Sequence, residues 1–502
     1  MIPLDIPPGV VHESSKVRNK SNWRETHLIR WDGNTILPME GWEYNDYPNP
    51  AFASPCRVVH KWVTNANLIC TAYLCEQHCY ADIGDGLVDI TPVGGLPKPT
   101  GNNRGYGDNE HGDDLWGTPR AGASRLTNNT PAYTLANWGD ELRAMTSVDG
   151  RLLKWSPLTP ATKLVAVTNA PVSNRSFTIT PERHIMLFGM GGKQDSFGWC
   201  DQENDTVWNF SDPLNKAGFY DIEPSSPIIS HQQFFGGVLM FTMQGAYIIK
   251  FIGLPYIYNY TEIAKPSAPI NAQCITEGPD GIMWASVDGF WLYNGNSVRP
   301  ISCPLWDFVR DHIDFAGSMF YACVINVASK DELWWCYVDR RDVSLRNTRI
   351  VVFEYRRGWW SMGKVARSAG FAFVNDRYPI MSDGLRVLKH EVGYNYPGEE
   401  YPWAESFSMN ISEGQKMGTL HQMMPEIEGD PLAIQFRLIK NNNRNKPNNE
   451  TIGPPRQPFD GGNGLIDFRE TARDMRLRIE MVKPNPWTIG PMLIDAKQRG
   501  SK

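Results

Sequence analysis

Residues 286–300 read SVDGFWLYNGNSVRP. Asp288-Gly289 opens the stretch with a turn, four large apolar residues follow, and Asn294-Gly295 makes a second turn. Turn pairs on either side of a short apolar run signal a hairpin, because glycine accepts the positive φ that tight turns demand. Along the run Trp291 and Tyr293 alternate with Phe290 and Leu292, so large side chains leave both faces of the strand. Such a strand belongs in a sheet covered on each side.

The unit recurs as GDGLVDI (84–90), VDGRLLKW (148–155), MQGAYIIKF (243–251) and SDGLRVLKH (382–390). With Gly289 the turn glycines fall at 86, 150, 245, 289 and 384, at spacings of 64, 95, 44 and 95. Two spacings are near-doubles of the shortest, which fits a repeat of about 44–48 residues, a propeller-blade period. Units lacking the Asp-Gly signature are then expected within 191–208 and 336–360, and the 64-residue gap is expected to carry an insert. Closing a ring of four-stranded sheets protects every blade edge that an open array would leave bare. The expectation is an all-β chain built on a β-propeller of six or seven blades.

Composition agrees. The chain has 502 residues, 41% of them hydrophobic, with 18 Trp, 44 Gly and 37 Pro, which suits short aromatic strands joined by tight turns. A net charge of −6 argues against wrapping nucleic acid by phosphate neutralisation, and leaves open a DNA conduit that must not grip its cargo. The 9 cysteines are odd in number and several sit in apolar strands, so reduced, buried thiols and assembly in a reducing cytoplasm are expected. The opening MIPLDIPPG lacks a signal-peptide pattern, and FFGGVLMF (234–241) is too short to span a bilayer, so no membrane-spanning segment is expected.

Residues 1–55 read as a Pro-rich N-terminal arm, 56–395 as the propeller, and 396–502 as a C-terminal β-sandwich with alternating strands such as Met475 to Met481. Within the propeller, 93–122 is a Gly-rich insert too long for an ordinary turn. It gathers Asp108, Glu110, Asp113 and Asp114, which lack the order of a calcium loop. They read as a solvated acidic loop or, were the chain a DNA conduit, as a channel or gate lining that repels DNA. Cys75, His78 and Cys79, with Cys70 nearby, lack the second ligand pair of a zinc site and read as strand residues. GMGGKQ (189–194) has Gln194 where a phosphate loop needs Ser or Thr. No catalytic residue, cofactor or metal ligand is assigned, and an enzyme is not expected. Trp23, Arg24, Arg30 and Trp31 form an aromatic-basic cluster that reads either as a protein interface or as an edge strand packed on its own domain.

RETHLIRWDGNTILPMEGW (24–42) resembles an N-terminal signature of bacteriophage tail proteins. GDGLVDITP (84–92), NWGDELRAMTSVDGRLLKW (137–155), TPERHIMLFGMGG (180–192), WCDQENDTVWNF (199–210), KAGFYDI (216–222) and FIGLPYIYNY (251–260) follow in that family's order. EGQKMGTLHQMMPEIEG (413–429), RDMRLRIEM (473–481) and WTIGPMLIDAKQRG (487–500) resemble its end domain, so the likeness spans nearly the whole chain. The family is the nozzle, or tail tube distal protein, of short-tailed phages, also called the packaged-DNA stabilisation protein. The resemblance implies a propeller with a platform-type β domain and a homohexameric ring in the virion tail. It also implies contacts with the tail adaptor and tail fibres, and genomic DNA passing through a central channel to be retained or ejected. The ending AKQRGSK departs from the more glycine- and arginine-rich tail the resemblance predicts. The alternative is a receptor- or glycan-binding propeller on the tail surface, with Trp359 and Trp360 as stacking platforms, and a depolymerising glycosidase is a third reading.

Overall fold

The computed structural model describes residues 1–12, 22–99, 130–344, 346–372, 377–409, 411, 416–442, 450–458 and 464–499. Seven four-stranded antiparallel sheets follow one another along the chain, at 56–89, 133–166, 176–221, 228–264, 275–301, 323–363 and 369–390. Their first strands begin at Cys56, Tyr133, Ser176, Ile228, Ile275, Cys323 and Ala369, and each lies beside the first strand of the next sheet. The strand Ala369–Phe371 adjoins Cys56–Val63, so the ring closes as a seven-bladed propeller.

Blade 7 takes only three strands from its own stretch of chain. Its outermost strand is Trp42–Tyr44, paired through Leu388↔Tyr44, Lys389↔Glu43 and His390↔Trp42. A strand preceding the first blade thus staples the last one. Trp42 is the anchor: it stacks on His390 at 5.0 Å, lies 4.5 Å from the Arg367 guanidinium and meets Tyr396 edge-on.

The repeated glycines prove to be of two kinds. Gly150, Gly245, Gly289 and Gly384 all occupy the turn between second and third strands, in blades 2, 4, 5 and 7. Gly86 instead lies between the third and fourth strands of blade 1. The 64-residue spacing therefore compares unlike turns, the corresponding turn of blade 1 being Glu76 to His78. The first strands of blades 1 and 2 begin at Cys56 and Tyr133, farther apart than any other neighbours, so the gap does carry the insert. The units expected without the signature are present, as blades 3 and 6. Hydroxyl side chains ending the second strand accept turn N–H groups, from Asp149 to Thr146 at 3.2 Å, from Gly245 to Thr242 at 3.1 Å and from Gly384 to Ser382 at 3.0 Å. This is the local chemistry by which Ser and Thr favour turns. At Gly150 glycine is required twice: φ is +70°, and a Cβ would stand 2.6 Å from the Ser173 Cα.

Two further sheets form the β-sandwich. One orders Ile29–Asp32, Thr35–Pro38, Trp487–Arg499, Met417–Gly429 and Ile466–Ala472, with Ile2–Leu4 also on Trp487–Arg499. The other orders Trp23–His27, Trp403–Ser408, Asp474–Met481, Ile434–Asn441 and Glu450–Ile452. The expected arm at 1–55 is thus corrected: four of its strands are sandwich strands and a fifth closes the propeller. Alternating residues such as Trp23, Ile29 and Trp31 gain burial only by joining a sheet, which a free arm would forgo.

The core records the same arrangement. Five apolar clusters each fill one gap between neighbouring blades, from blade 7 with blade 1 round to blade 4 with blade 5. The sixth is continuous from Phe290 of blade 5 through Trp334 of blade 6 and Leu388 of blade 7 to Phe436 and Ile479 of the sandwich.

Candidate functional site

Two polar constellations stand out, one where the sandwich meets the ring and one on the ring axis. The first centres on Arg30, carried by the sandwich strand Ile29–Asp32. Its guanidinium grips Glu332 of blade 6 at 2.6 and 2.9 Å and Glu391, just past the third strand of blade 7, at 2.8 and 2.7 Å. Two forked carboxylate pairs use the planar donor geometry that lysine lacks. Lys330 extends the network to Glu391 at 3.4 Å and Glu40 at 3.1 Å. Burial opposes the Arg30 charge, but Glu332 and Glu391 outweigh it and hold the group above its ordinary value. Burial likewise works to raise Glu391, yet Arg30 and Lys330 keep its carboxyl below the ordinary range. The constellation is a charged lock between sandwich and propeller.

Trp31 lies beside it and Trp23 is buried in the second sandwich sheet, so they and Arg30 anchor the chain to itself. As an exposed partner interface the two tryptophans are corrected, because both are buried in the core shared by sandwich and blades. Arg30, bonded to Glu332 and Glu391, lines with one edge of Trp31 a cavity of about 260 Å³ beside blade 6. Arg24 retains partial exposure and pairs with Glu405 at 3.0 Å.

The second constellation is an axial cavity of about 230 Å³ lined by residues from the innermost strands of all seven blades or from the turns leading into them. Arg57, Tyr133, Ser230, Gln273, Cys323 and Ala369 mark its circumference. Arg57 is buried at 4% exposure, donates from Nη2 to the Phe320 carbonyl and lies over the rings of Tyr133 at 5.5 Å and Tyr321 at 5.1 Å. Burial pushes His231, also on the wall, down to about 3, and its ring stacks on Phe188 at 4.2 Å. None of these wall residues was singled out in the sequence. Their common signal, a position at or near the start of the first strand of each blade, emerges only once the blades are aligned.

Asp108, Glu110, Asp113 and Asp114 lie outside the described residues. The insert that holds them leaves after the outermost strand of blade 1 and returns at Thr130, which accepts from Arg175 at 3.1 Å. Cys70, Cys75 and Cys79 are buried free thiols, Cys75 pushed up by burial and by its cross-strand neighbour Cys56. His78 bonds Ser54 at 3.0 Å, and among the described residues no three His, Cys, Asp or Glu side chains gather as a metal site. GMGGKQ (189–194) forms the turn between second and third strands of blade 3. Trp360 is buried in the core, and Trp359 is half-buried beneath Arg357 at 4.9 Å. The paired sugar platform therefore does not form. Asp288 is a turn residue, accepting from Trp291 at 2.9 Å and Ser267 at 2.6 Å. Among the described residues no helix is long and apolar enough to cross a membrane.

The class of protein is thus an all-β, seven-bladed propeller interleaved with a β-sandwich. No family model and no curated protein matches the chain. Among solved structures it is similar to a virginiamycin B lyase from Staphylococcus aureus, at 9% identity and a TM-score of 0.41, over 69% of this chain and 98% of that one. A fungal alcohol oxidase of the AA5 family is similar at 10% identity and a TM-score of 0.42, over 92% and 100%. PorZ of Porphyromonas gingivalis follows at 9% and 0.37, over 76% and 44%. Likeness at this level carries no activity across.

Proposed function

We propose that the chain is a structural virion protein, the distal nozzle of a short phage tail, whose copies ring a DNA channel that retains the packaged genome and conducts it at ejection. The observation that carries this reading is the ordered run of sequence blocks from 24–42 to 487–500. Several of those blocks fall on load-carrying parts of the molecule. The first holds Arg30 of the lock and Trp42 of the ring closure, and the last forms the central strand Trp487–Arg499 of one sandwich sheet. FIGLPYIYNY (251–260) lies on the outer hairpin of blade 4, where Phe251, Ile252, Leu254 and Tyr256 are exposed. Clustered exposed apolar side chains mark protein contact sites, as a ring of copies or an adaptor would need.

The axial cavity also bears on the reading. About 230 Å³ closed in by seven blades cannot admit a duplex whose major groove alone is about 12 Å wide. The conduit in this proposal therefore runs between copies, and each propeller is a solid wall element. The net charge of −6 suits a wall that lets phosphates slide. The test is the native mass of the purified chain, alone and with the tail adaptor, together with an image of the assembled particle. A closed ring, six copies by the resemblance, at the distal end of the tail is expected. A monomer at every concentration and a particle without the chain overturn the proposal.

A further inference from the structure

We propose that the axial cavity of the propeller is a binding site for one small protonated oxyanion, of the hydrogen phosphate type. Four of the wall residues each carry a buried polar atom with no hydrogen-bond partner among the described residues: Nε of Arg57, the hydroxyls of Tyr133 and Ser230, and Oε1 of Gln273. Buried polar groups are almost always bonded, and four such atoms around one cavity mark a place where a bonding partner belongs. Arg57 is the only wall residue with a formal charge at neutral pH, and no carboxylate pairs with it among the described residues. A buried guanidinium flanked by two tyrosine rings and one carbonyl lacks a compensating charge, and an anion supplies it.

The remaining atoms narrow the chemistry. Arg57, Tyr133 and Ser230 can donate. Gln273 uses one Nε2 hydrogen on the Tyr133 carbonyl at 3.0 Å, and its unpartnered atom is Oε1, an acceptor that calls for a donor. The occupant must therefore accept several hydrogen bonds and donate one. Hydrogen phosphate keeps a proton at neutral pH and meets both demands. Sulfate and acetate carry none there and would leave Gln273 facing an oxygen lone pair.

The experiment is calorimetric titration of the full chain at pH 7 and constant ionic strength with inorganic phosphate, sulfate and acetate in turn, and a thermal melt in each. Saturable phosphate binding at one site per chain is expected, with sulfate and acetate weaker by about tenfold or more. Arg57→Met should abolish the phosphate response. Gln273→Leu should bring phosphate and sulfate towards equality, which a merely structural role of Gln273 would not do. Should Arg57→Met fail to fold, Ser230→Val narrows the cavity without removing the charge, and it should weaken phosphate binding while the chain still melts cooperatively. The proposal is overturned if phosphate does not saturate, if all three anions raise the melting temperature alike as excluded salts do, or if a crystal grown in phosphate holds only water on the axis.

Discussion

Arg30 is nearly buried between two carboxylates that are nearly buried themselves, at side-chain exposures of 11%, 4% and 3%. Removing one partner from such a group strands the others. Arg30→Met should therefore cost about 3–5 kcal/mol in urea unfolding, whereas Arg24→Met, on a partly exposed pair, should cost about 1 kcal/mol or less. Equal effects would refute the lock. Two buried histidines set a second expectation. His27 bonds the Glu400 carbonyl through Nε2 at 3.1 Å and accepts the Lys364 N–H at Nδ1 at 3.1 Å, which only a neutral ring can do. Burial pushes it down to about 4, and burial with Arg367 and Arg30 beside it holds His390 well below its ordinary value. Both folded values lie below the ordinary 6.5, so the unfolded chain takes up protons first and stability falls as pH drops below about 6.5. Each histidine contributes up to about 1.4 kcal/mol per pH unit in that window. Unfolding at pH 7.5, 6.5 and 5.5 should show the decline, and His390→Gln should make it shallower by one such increment.

At the scale of elements, the closing strand decides whether the ring holds. Trp42 is 1% exposed between His390, Arg367 and Tyr396, so Trp42→Ala should cost about 3–5 kcal/mol. Hydrogen exchange should speed up first in Val387–His390, which loses its outer neighbour, and uniform protection there would refute the staple role. The sequence carried the elements better than their connections. The glycines at 150, 245, 289 and 384 report the same turn in four blades, and in three of them a hydroxyl ending the second strand accepts a turn N–H. Gly86 was indistinguishable from them, since turn chemistry does not record which turn of a blade it serves. The lock was half legible: the Trp and Arg pattern of 23–31 marked a contact, but its carboxylates lie 302 and 361 residues away along the chain. The axial wall left no local signal, because each blade contributes only a few residues to it.

The whole molecule is two units by architecture and one by stability. Residues 396–502 look self-sufficient, a run of alternating strands of ordinary domain length. In the structure that segment lacks Ile29–Asp32 and Thr35–Pro38 at one end of its first sheet, Ile2–Leu4 beside them, and Trp23–His27 at the edge of the second. Its apolar interior also continues into blades 5, 6 and 7 rather than stopping at a boundary. Cutting the chain at 396 would therefore expose Ile489, Phe436 and Ile479 to water on surfaces that Ile36, Trp23 and the blade residues now cover. A fragment 396–502 should show no cooperative thermal transition, and co-expression with 1–395 should restore a single one. The intact chain should lose the sandwich and blades 5–7 together in hydrogen exchange, while the gaps between blades 1 and 4, sealed by separate clusters, open independently. A fragment 396–502 that melts cooperatively by itself would mean that the interleaved strands and shared core are incidental to its folding, and the single-unit account would fall.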